Sequence, residues 1–482
     1  MNTRRQIQTI LNWYTIGRSK IAGLIAGIGN SITSDSEKLR AKVMKQNIRL
    51  LGALLCVLFV GAIPLFASAA QEDGQSSTAE KMKIVMWDWH TPRMDGFRPM
   101  AEEYQKLNPH IEFETMVMPS DEYWKKVLAS SVSRDFAVDI FQIANNRIAE
   151  LSNYITPYPE DMFPMAQLKE EYPAIDILLY NDKLYMWPLG IMSSAIYYNA
   201  DMWDDAGLGD RPKTWDELRE AAVQLTQYEG DNVHVAGFGF TGDGYMQFIW
   251  GDMLYQKGGW YYNEDGTKAD DSWIQSPGIE ALEYLNDMIF EDRVTEPGFL
   301  GFLEAFGTDR AAMVYAWTWF TGFLNTTHPD KNYYVSALPT FTGSPLPAVA
   351  RNDPSSLSSV ISSDEEKIPE IFEFLKWVFD DDDYLINMNI TQSVIPLKKE
   401  LLKDPRIADN PVISELIRVS SYTVYPGEYS VCLGPSMSNI EARIFEGMSA
   451  QETMEIVKAE IDVCLEDTPT TWVVERRYQP GL

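Results

Sequence analysis

Apolar and polar positions along the chain predict short strands that alternate with helices. Short apolar or alternating runs of this kind indicate strands, and apolar residues recurring every three to four positions indicate helices. In the first part of the chain the strands fall at 84–87, 111–118 and 138–143, and the helices at 98–107 and 122–133. Strands that alternate with helices are typical of a mostly parallel sheet flanked by helices. We therefore predict an α/β fold.

The same pattern continues beyond residue 180. An extended apolar stretch covers 185–198, and Thr214 with Glu217 three residues later forms the sequence of a capping box, which predicts a helix start. Further helices are predicted at 215–228, 245–257, 277–290, 367–380 and 450–465, and further strands at 313–316 and 333–338.

Polar residues follow two of the predicted strands. Asp88 and Trp89 come directly after the first strand, and Asn145, Asn146 and Arg147 follow the third. Ligands of parallel sheets bind at the carboxyl ends of the strands. We therefore expect these five residues at a ligand site.

The N-terminal region predicts export. Residues 50–70 are almost all apolar, Lys45 and Arg49 precede them, and Ala67-Ser68-Ala69 ends them. This order is typical of a cleaved secretory signal peptide, although an uncleaved membrane anchor stays open. Cys56 lacks the small residues that a lipid attachment site needs. We predict an extension at 1–43 upstream of the natural start, a signal peptide at 44–69, a flexible lead-in at 70–81, and a periplasmic location.

Composition narrows the functional classes. The chain has 482 residues, which predicts two or three domains, and its net charge of −30 makes nucleic acid a poor partner. Cys432 and Cys464 either form a disulfide or remain separate thiols, and neither a zinc motif nor a hydrolase motif is present. A glycosidase remains an alternative because it needs only two carboxylates. We predict a protein that is not an enzyme, with no catalytic residues, metal or cofactor.

An ordered series of short motifs resembles a known family. The series runs through Asn181-Asp182-Lys183-Leu184-Tyr185, Pro188-Leu189-Gly190, Tyr198-Asn199-Ala200-Asp201-Met202, Ala206-Gly207-Leu208 and Pro212-Lys213-Thr214-Trp215-Asp216-Glu217-Leu218, with a further piece at 306–313. It is similar to the extracellular solute-binding proteins of sugar ABC transporters. The resemblance implies a two-lobed periplasmic-binding-protein fold, type II-like, whose lobes close on a ligand by hinge motion. Mapped here, lobe one is 82–188 with 339–396, and lobe two is 189–338 with 397–482.

The resemblance also implies a sugar in the cleft between the lobes. Trp317 and Trp319 are the expected stacking platforms, because sugars offer apolar faces as well as hydroxyls. Other expected contacts are Tyr245, Gln247 and Trp250 at a helix start, Arg351, and Tyr425 with Glu428 on a later loop.

The expected partners are a sugar and the permease subunits of an ABC transporter, and we expect a monomer. Ile143 and Asn146 stand where the maltose-binding branch carries Trp and Asp, so maltose itself is not implied. A polyamine, a phosphorylated polyol or a metal chelate bound by the same fold, and a membrane-tethered sensor, are the alternatives.

Overall fold

The computed structural model describes residues 81–133, 137–143, 147–242, 244–361, 364–427 and 430–468. The predicted extension and signal peptide lie outside these residues, as do Asn145, Asn146 and Glu428. Within the described ranges, no helix combines the length and the apolar character that crossing a membrane requires.

The strands, in chain order, are β1 Met82–Asp88, β2 Ile111–Val117, β3 Ile140–Phe141, β4 Leu179–Tyr180, β5 Lys183–Leu184, β6 Trp187–Asn199, β7 Gln227–Glu229, β8 Asn232–Val235, β9 Met313–Trp317, β10 Tyr333–Ala337, β11 Ala350–Leu357, β12 Ser359–Val360, β13 Ile395–Pro396 and β14 Thr423–Val424.

The helices are α1 Thr91–Leu107, α2 Ser120–Ser133, α3 Ile148–Leu151, α4 Met165–Glu171, α5 Ala200–Asp205, α6 Trp215–Leu225, α7 Met246–Gln256, α8 Ser276–Phe290, α9 Phe302–Gly307, α10 Phe320–Thr327, α11 Lys367–Phe379, α12 Asp382–Gln392, α13 Pro405–Ala408, α14 Pro411–Val419, α15 Leu433–Met437, α16 Ile440–Phe445 and α17 Ala450–Asp467. Short 3₁₀ turns lie at Ile175–Leu178, Asp271–Trp273, Lys399–Lys403 and Ser420–Tyr422.

The first sheet has the strand order β12-β3-β1-β2. Strand β1 pairs in parallel with β2 and with β3, whereas β12 joins β3 antiparallel. Parallel neighbours need a crossover between them, and α1 and α2 supply it. The carboxyl ends of β1 and β3 therefore open at the same edge of this sheet, as the sequence predicts.

The long strand β6 joins two parts of the molecule. Its first half pairs antiparallel with β11 and β13, and its second half pairs antiparallel with β9 and β10. The second sheet is thus less parallel than expected, because the strands that flank β6 run back along it. A parallel contact with β9 is made instead by Gly239, opposite Val314, and Ala236 pairs in parallel with Ala311 just before β9.

Strand β6 contributes residues to two main hydrophobic clusters. Ile191 of β6 packs in the first cluster and Ile196 in the second. Leu397, Leu401 and Ile413 also pack in the first cluster, although the sequence analysis assigned 397–482 to lobe two. The return of 395–396 along β6 places the residues that follow beside the first cluster.

Most predicted elements are confirmed, with shifted ends. The capping box forms, since the Thr214 side chain accepts from the Glu217 backbone and the Glu217 carboxylate accepts from the Thr214 backbone. Helix α1 begins at Thr91 instead of 98, with a proline in its first turn. The predicted strand at 138–143 is only two residues long.

One disulfide joins the two C-terminal cysteines. Cys432 and Cys464 are bonded, with their Cα atoms 5.6 Å apart and a sequence separation of 32 residues. Cys432 precedes α15 and Cys464 lies on α17, so the bridge ties the loop after β14 to the long final helix. The structure thereby decides between the two alternatives for this pair.

Candidate functional site

The carboxyl end of β1 carries an ion pair whose carboxylate is fully buried. Asp88 has no exposed surface, and its carboxylate accepts from Arg93 Nε at 3.1 Å and Nη2 at 2.7 Å. The backbone N–H of His90 donates to the same carboxylate at 2.8 Å. A bidentate pair of this kind fixes both side chains. Asp88 therefore orients Arg93 at the sheet edge, and its own oxygens are already used.

Trp89 belongs to a block of aromatic rings at the same edge. Its ring centre lies 4.9 Å from that of Tyr123 and 5.0 Å from that of Trp124. The Arg93 guanidinium lies 4.4 Å from the Trp89 ring centre, and that of Arg147 lies 5.0 Å from the Trp124 ring centre. Trp89, Arg93, Tyr123, Trp124 and Arg147 are called the first wall below.

A second group of rings lies at the carboxyl end of β9. Trp317 is the last residue of β9 and is 8% exposed. Trp319 is partly buried and immediately precedes α10, with its ring centre 6.3 Å from that of Phe302. The two tryptophans do not lie on one strand, because the chain turns into α10 after Trp317.

Helix α7 contributes a ring that the sequence analysis missed. Phe248 lies edge-on to Trp317, with 6.4 Å between ring centres, and 5.3 Å from the ring of Tyr245. The sequence indicates Phe248 only through its position one helical turn after Tyr245. Tyr245, Phe248, Trp317, Trp319 and Arg351 are called the second wall.

Two other predicted contacts on α7 have different surroundings. Trp250 is fully buried in the second cluster, where its indole N–H donates to the Gly278 carbonyl at 2.9 Å and its ring meets Trp273. It is a core residue, because α7 is covered on nearly every side, and the expectation of a ligand contact there is corrected. Gln247 is buried at the helix start and donates to the Gly244 carbonyl at 2.9 Å.

Arg351 of β11 is the buried charged member of the second wall. Its Nε donates to Asp252 at 3.0 Å and its Nη2 donates to the Phe248 carbonyl at 2.6 Å. Its guanidinium carbon lies 5.7 Å from the Trp317 ring centre. Buried cations need such a carboxylate partner. Asp252 was not foreseen as part of this site.

The two walls adjoin through His90 and α10. Gly322 of α10 lies near His90, since an added Cβ at 322 would be in ordinary contact with the imidazole at 3.8 Å. The Gly322 N–H donates to the carbonyl of Trp319 at 3.1 Å, while His90 directly follows Trp89. His90 after β1 and Trp319 after β9 are therefore linked through Gly322.

Burial sets the protonation of His90 and of two tyrosines, Tyr123 of the first wall and Tyr315 of β9. Burial, and to a lesser extent the charge of Arg93, lowers the pKa of His90 to about 3, so its imidazole is neutral near pH 7. Its Nδ1 lies 3.3 Å from the Gln392 amide nitrogen. Burial raises the pKa of Tyr123 and of Tyr315 well above the ordinary value, which leaves both as hydroxyl donors.

Tyr425 directly follows Val424, which pairs with Arg351 of the second wall. It is 2% exposed and packs in the first hydrophobic cluster, although it was expected on a lobe-two loop. Among the described residues, no group of three or more His, Cys, Asp or Glu side chains is placed to hold a metal ion.

Comparisons with solved structures define the class of fold. A Thermotoga lettingae ABC transporter solute-binding protein bound with α-D-tagatose superposes with a TM-score of 0.68 at 18% identity, covering 80% of this chain and all of that one. A Mycobacterium tuberculosis protein in complex with glycerophosphocholine gives 0.66 at 18% identity, covering 80% and 99%. The predicted α/β fold is confirmed: this is a two-lobed periplasmic-binding-protein fold.

Sequence comparisons then give the family. The family model for bacterial extracellular solute-binding proteins matches residues 99–414, and the chain belongs to that family. A putative binding protein of Brucella abortus is 24% identical over 342 residues, which is 68% of this chain and 79% of that protein. The maltotriose-binding protein of Pyrococcus abyssi is 22% identical over 343 residues, 69% and 70% of the two chains. These relatives are binding proteins, as predicted, and not enzymes.

Proposed function

We propose that this protein is the extracytoplasmic solute-binding subunit of an ABC importer and that its ligand is a sugar or oligosaccharide. The ligand would lie between the first wall and the second wall. The lobes would close over it by bending at the paired strands β6 and β11, which would connect the two lobes. The closed form would deliver the ligand to the permease subunits.

The observation that carries the proposal is the neutral, aromatic character of both walls. Each described arginine of the walls has a carboxylate partner: Arg93 with Asp88, Arg147 with Glu150 and Arg351 with Asp252. Aromatic rings backed by paired charges suit a ligand with hydroxyls, apolar C–H faces and no net charge. The maltotriose named for the Pyrococcus relative is a ligand of that kind.

The alternatives fit the described residues less well. A polyamine needs carboxylates that can face the ligand, yet Asp88 is fully buried and takes two hydrogen bonds from Arg93. A phosphorylated polyol needs cations that are not already neutralised by carboxylates, whereas the described arginines of both walls are each paired with one. The Mycobacterium structure with glycerophosphocholine makes this second alternative the one to include in any ligand screen.

The location and partners follow from the family and the sequence. We propose that 44–69 directs export and is removed near Ala69, without lipid attachment, and that the mature protein is a periplasmic monomer. Its strongly negative charge argues against nucleic acid as a partner.

A thermal-shift screen of the protein from residue 71 onward tests the proposal. A ligand at 100 times its dissociation constant stabilises the folded state by about 2.7 kcal/mol, which a melting curve resolves. The panel contains neutral mono- and oligosaccharides, glycerophosphodiesters and polyamines. We expect a shift with a neutral saccharide, whereas a shift confined to polyamines or phosphodiesters would refute the sugar assignment.

A further inference from the structure

Asp252 is a fully buried carboxylate with four donors. Its Oδ1 accepts from the Arg351 backbone N–H at 2.8 Å and from Arg351 Nε at 3.0 Å. Its Oδ2 accepts from Ser194 Oγ and from the Tyr315 hydroxyl, both at 2.6 Å. These donors come from β6, β9 and β11, so one side chain of α7 holds three strands of the second sheet.

The neighbouring glycine makes room for the same guanidinium. A Cβ on Gly251 would first meet the Tyr261 hydroxyl and would also lie 3.0 Å from Arg351 Cζ, so this position has no room for a side chain. Gly251 and Asp252 therefore act together, because one allows Arg351 to reach α7 and the other neutralises it. A buried guanidinium without a carboxylate partner would carry a large desolvation cost.

The charge that Asp252 neutralises lies beside the rings of the second wall. The Arg351 guanidinium carbon is 5.7 Å from the ring centre of Trp317 and 5.9 Å from that of Phe248. At such distances in a buried site, a net positive charge would act strongly on a ligand stacked on those rings. With Asp252 present, the pair is neutral as a unit.

We propose that Asp252 determines ligand specificity: by neutralising Arg351, it makes the second wall accept an uncharged saccharide and disfavour one that carries a carboxylate or phosphate. This inference rests on the proposed function. Asp252 acts through Arg351 and does not itself touch the ligand, which makes it a positioning residue.

Asp252→Asn tests this role, because it keeps the shape and one acceptor oxygen while removing the charge. The probes are disaccharides of glucose and galactose together with their glucuronate and galacturonate counterparts, titrated by calorimetry. We expect the wild type to prefer the neutral member of each pair. In D252N the ratio of affinities should move toward the uronate by about tenfold or more, equivalent to about 1.4 kcal/mol.

Two further variants separate charge from structure. The double variant Asp252→Asn with Arg351→Gln removes both charges and should restore the neutral preference. Tyr315→Phe removes one hydrogen bond to Asp252 but no charge, so it should lower stability and leave the ratio unchanged.

The outcomes distinguish this inference from the proposed function. A D252N protein that binds neutral saccharides with an unchanged ratio would overturn the specificity role and leave the sugar-binding function standing. A wild type that binds uronates as tightly as neutral sugars would overturn the role without any variant. A wild type that binds no neutral saccharide would overturn both.

Discussion

Replacing Gly322 with alanine probes the contact between α10 and the C-terminal end of α12. An added Cβ at 322 would lie less than 3.0 Å from the backbone carbonyl oxygen of Thr391, whereas ordinary contact is 3.4–4 Å. The obstacle is backbone, so the helices must separate. Gly96 of α1 offers a matched control, since its added Cβ would also come within 3.0 Å of α12 but would meet the flexible end of Met388.

Both substitutions gain about 1 kcal/mol of helix propensity, because alanine replaces glycine inside a helix. Overpacking against backbone costs about 1–3 kcal/mol, which outweighs that gain at 322. At 96 the Met388 methyl can move aside at small cost. We therefore expect Gly322→Ala to be about 1 kcal/mol less stable than the wild type, and Gly96→Ala to be as stable as the wild type or slightly more so.

Urea unfolding followed by circular dichroism measures both free energies of unfolding in the same buffer. The slope against urea should stay the same in both variants, because neither changes the surface exposed on unfolding. If Gly322→Ala is as stable as Gly96→Ala, the close approach of α10 to α12 is not a tight contact and the reasoning fails.

Three further predictions concern stability. Thr214→Ala removes the capping box of α6 and should cost about 1 kcal/mol in urea unfolding; an unchanged midpoint would contradict a role for the cap. Replacing both Cys432 and Cys464 with serine removes the bridge across 32 residues and should cost about 3–4 kcal/mol, measured against the wild type without reductant. Reductant should lower the melting temperature of the wild type and leave that of the double-serine variant unchanged. Equal melting temperatures of the two proteins without reductant would refute a contribution of the disulfide to stability. The pKa of His90 falls from 6.5 to about 3 on folding, so the unfolded chain alone binds this proton between those values. Wild-type stability should therefore fall with decreasing pH in that window by up to about 1.4 kcal/mol per pH unit more than that of His90→Gln, and equal slopes would contradict the buried neutral imidazole.

Local signals in the sequence predict the elements well where one interaction decides them. The capping box at Thr214 and the alternation at Ile111–Val117 depend on neighbours in the chain, and both are found. The strand at 138–143 was overestimated, because apolar character there reflects burial in general and only Ile140–Phe141 makes ladder pairs. The start of α1 was placed late, because its N-cap residue His90 makes no side-chain capping bond that a sequence pattern would reveal.

Two residues of the walls were predictable because the end of a strand decides their position. Trp89 and Trp317 follow that rule, since each lies at the carboxyl end of its strand. Trp250 does not, because packing of α8 and Trp273 against α7 buries it. Asp252 depends on donors 58 and 99 residues away in sequence, and its visible sign is the one charged residue in a mostly apolar helix.

The binding of a saccharide between the two walls is tested most directly by removing Trp319 from the second wall and measuring the loss of ligand affinity. The saccharide with the largest thermal shift is titrated by calorimetry into the wild type, Trp319→Ala and Trp377→Ala. Trp377 is a suitable control because it is a partly buried tryptophan that packs against Tyr104 and belongs to neither wall.

A buried aromatic anchor contributes about 2 kcal/mol or more, so Trp319→Ala should bind about 30-fold more weakly while Trp377→Ala binds like the wild type. Equal affinities for all three proteins would contradict the claim that a sugar is held between the two walls.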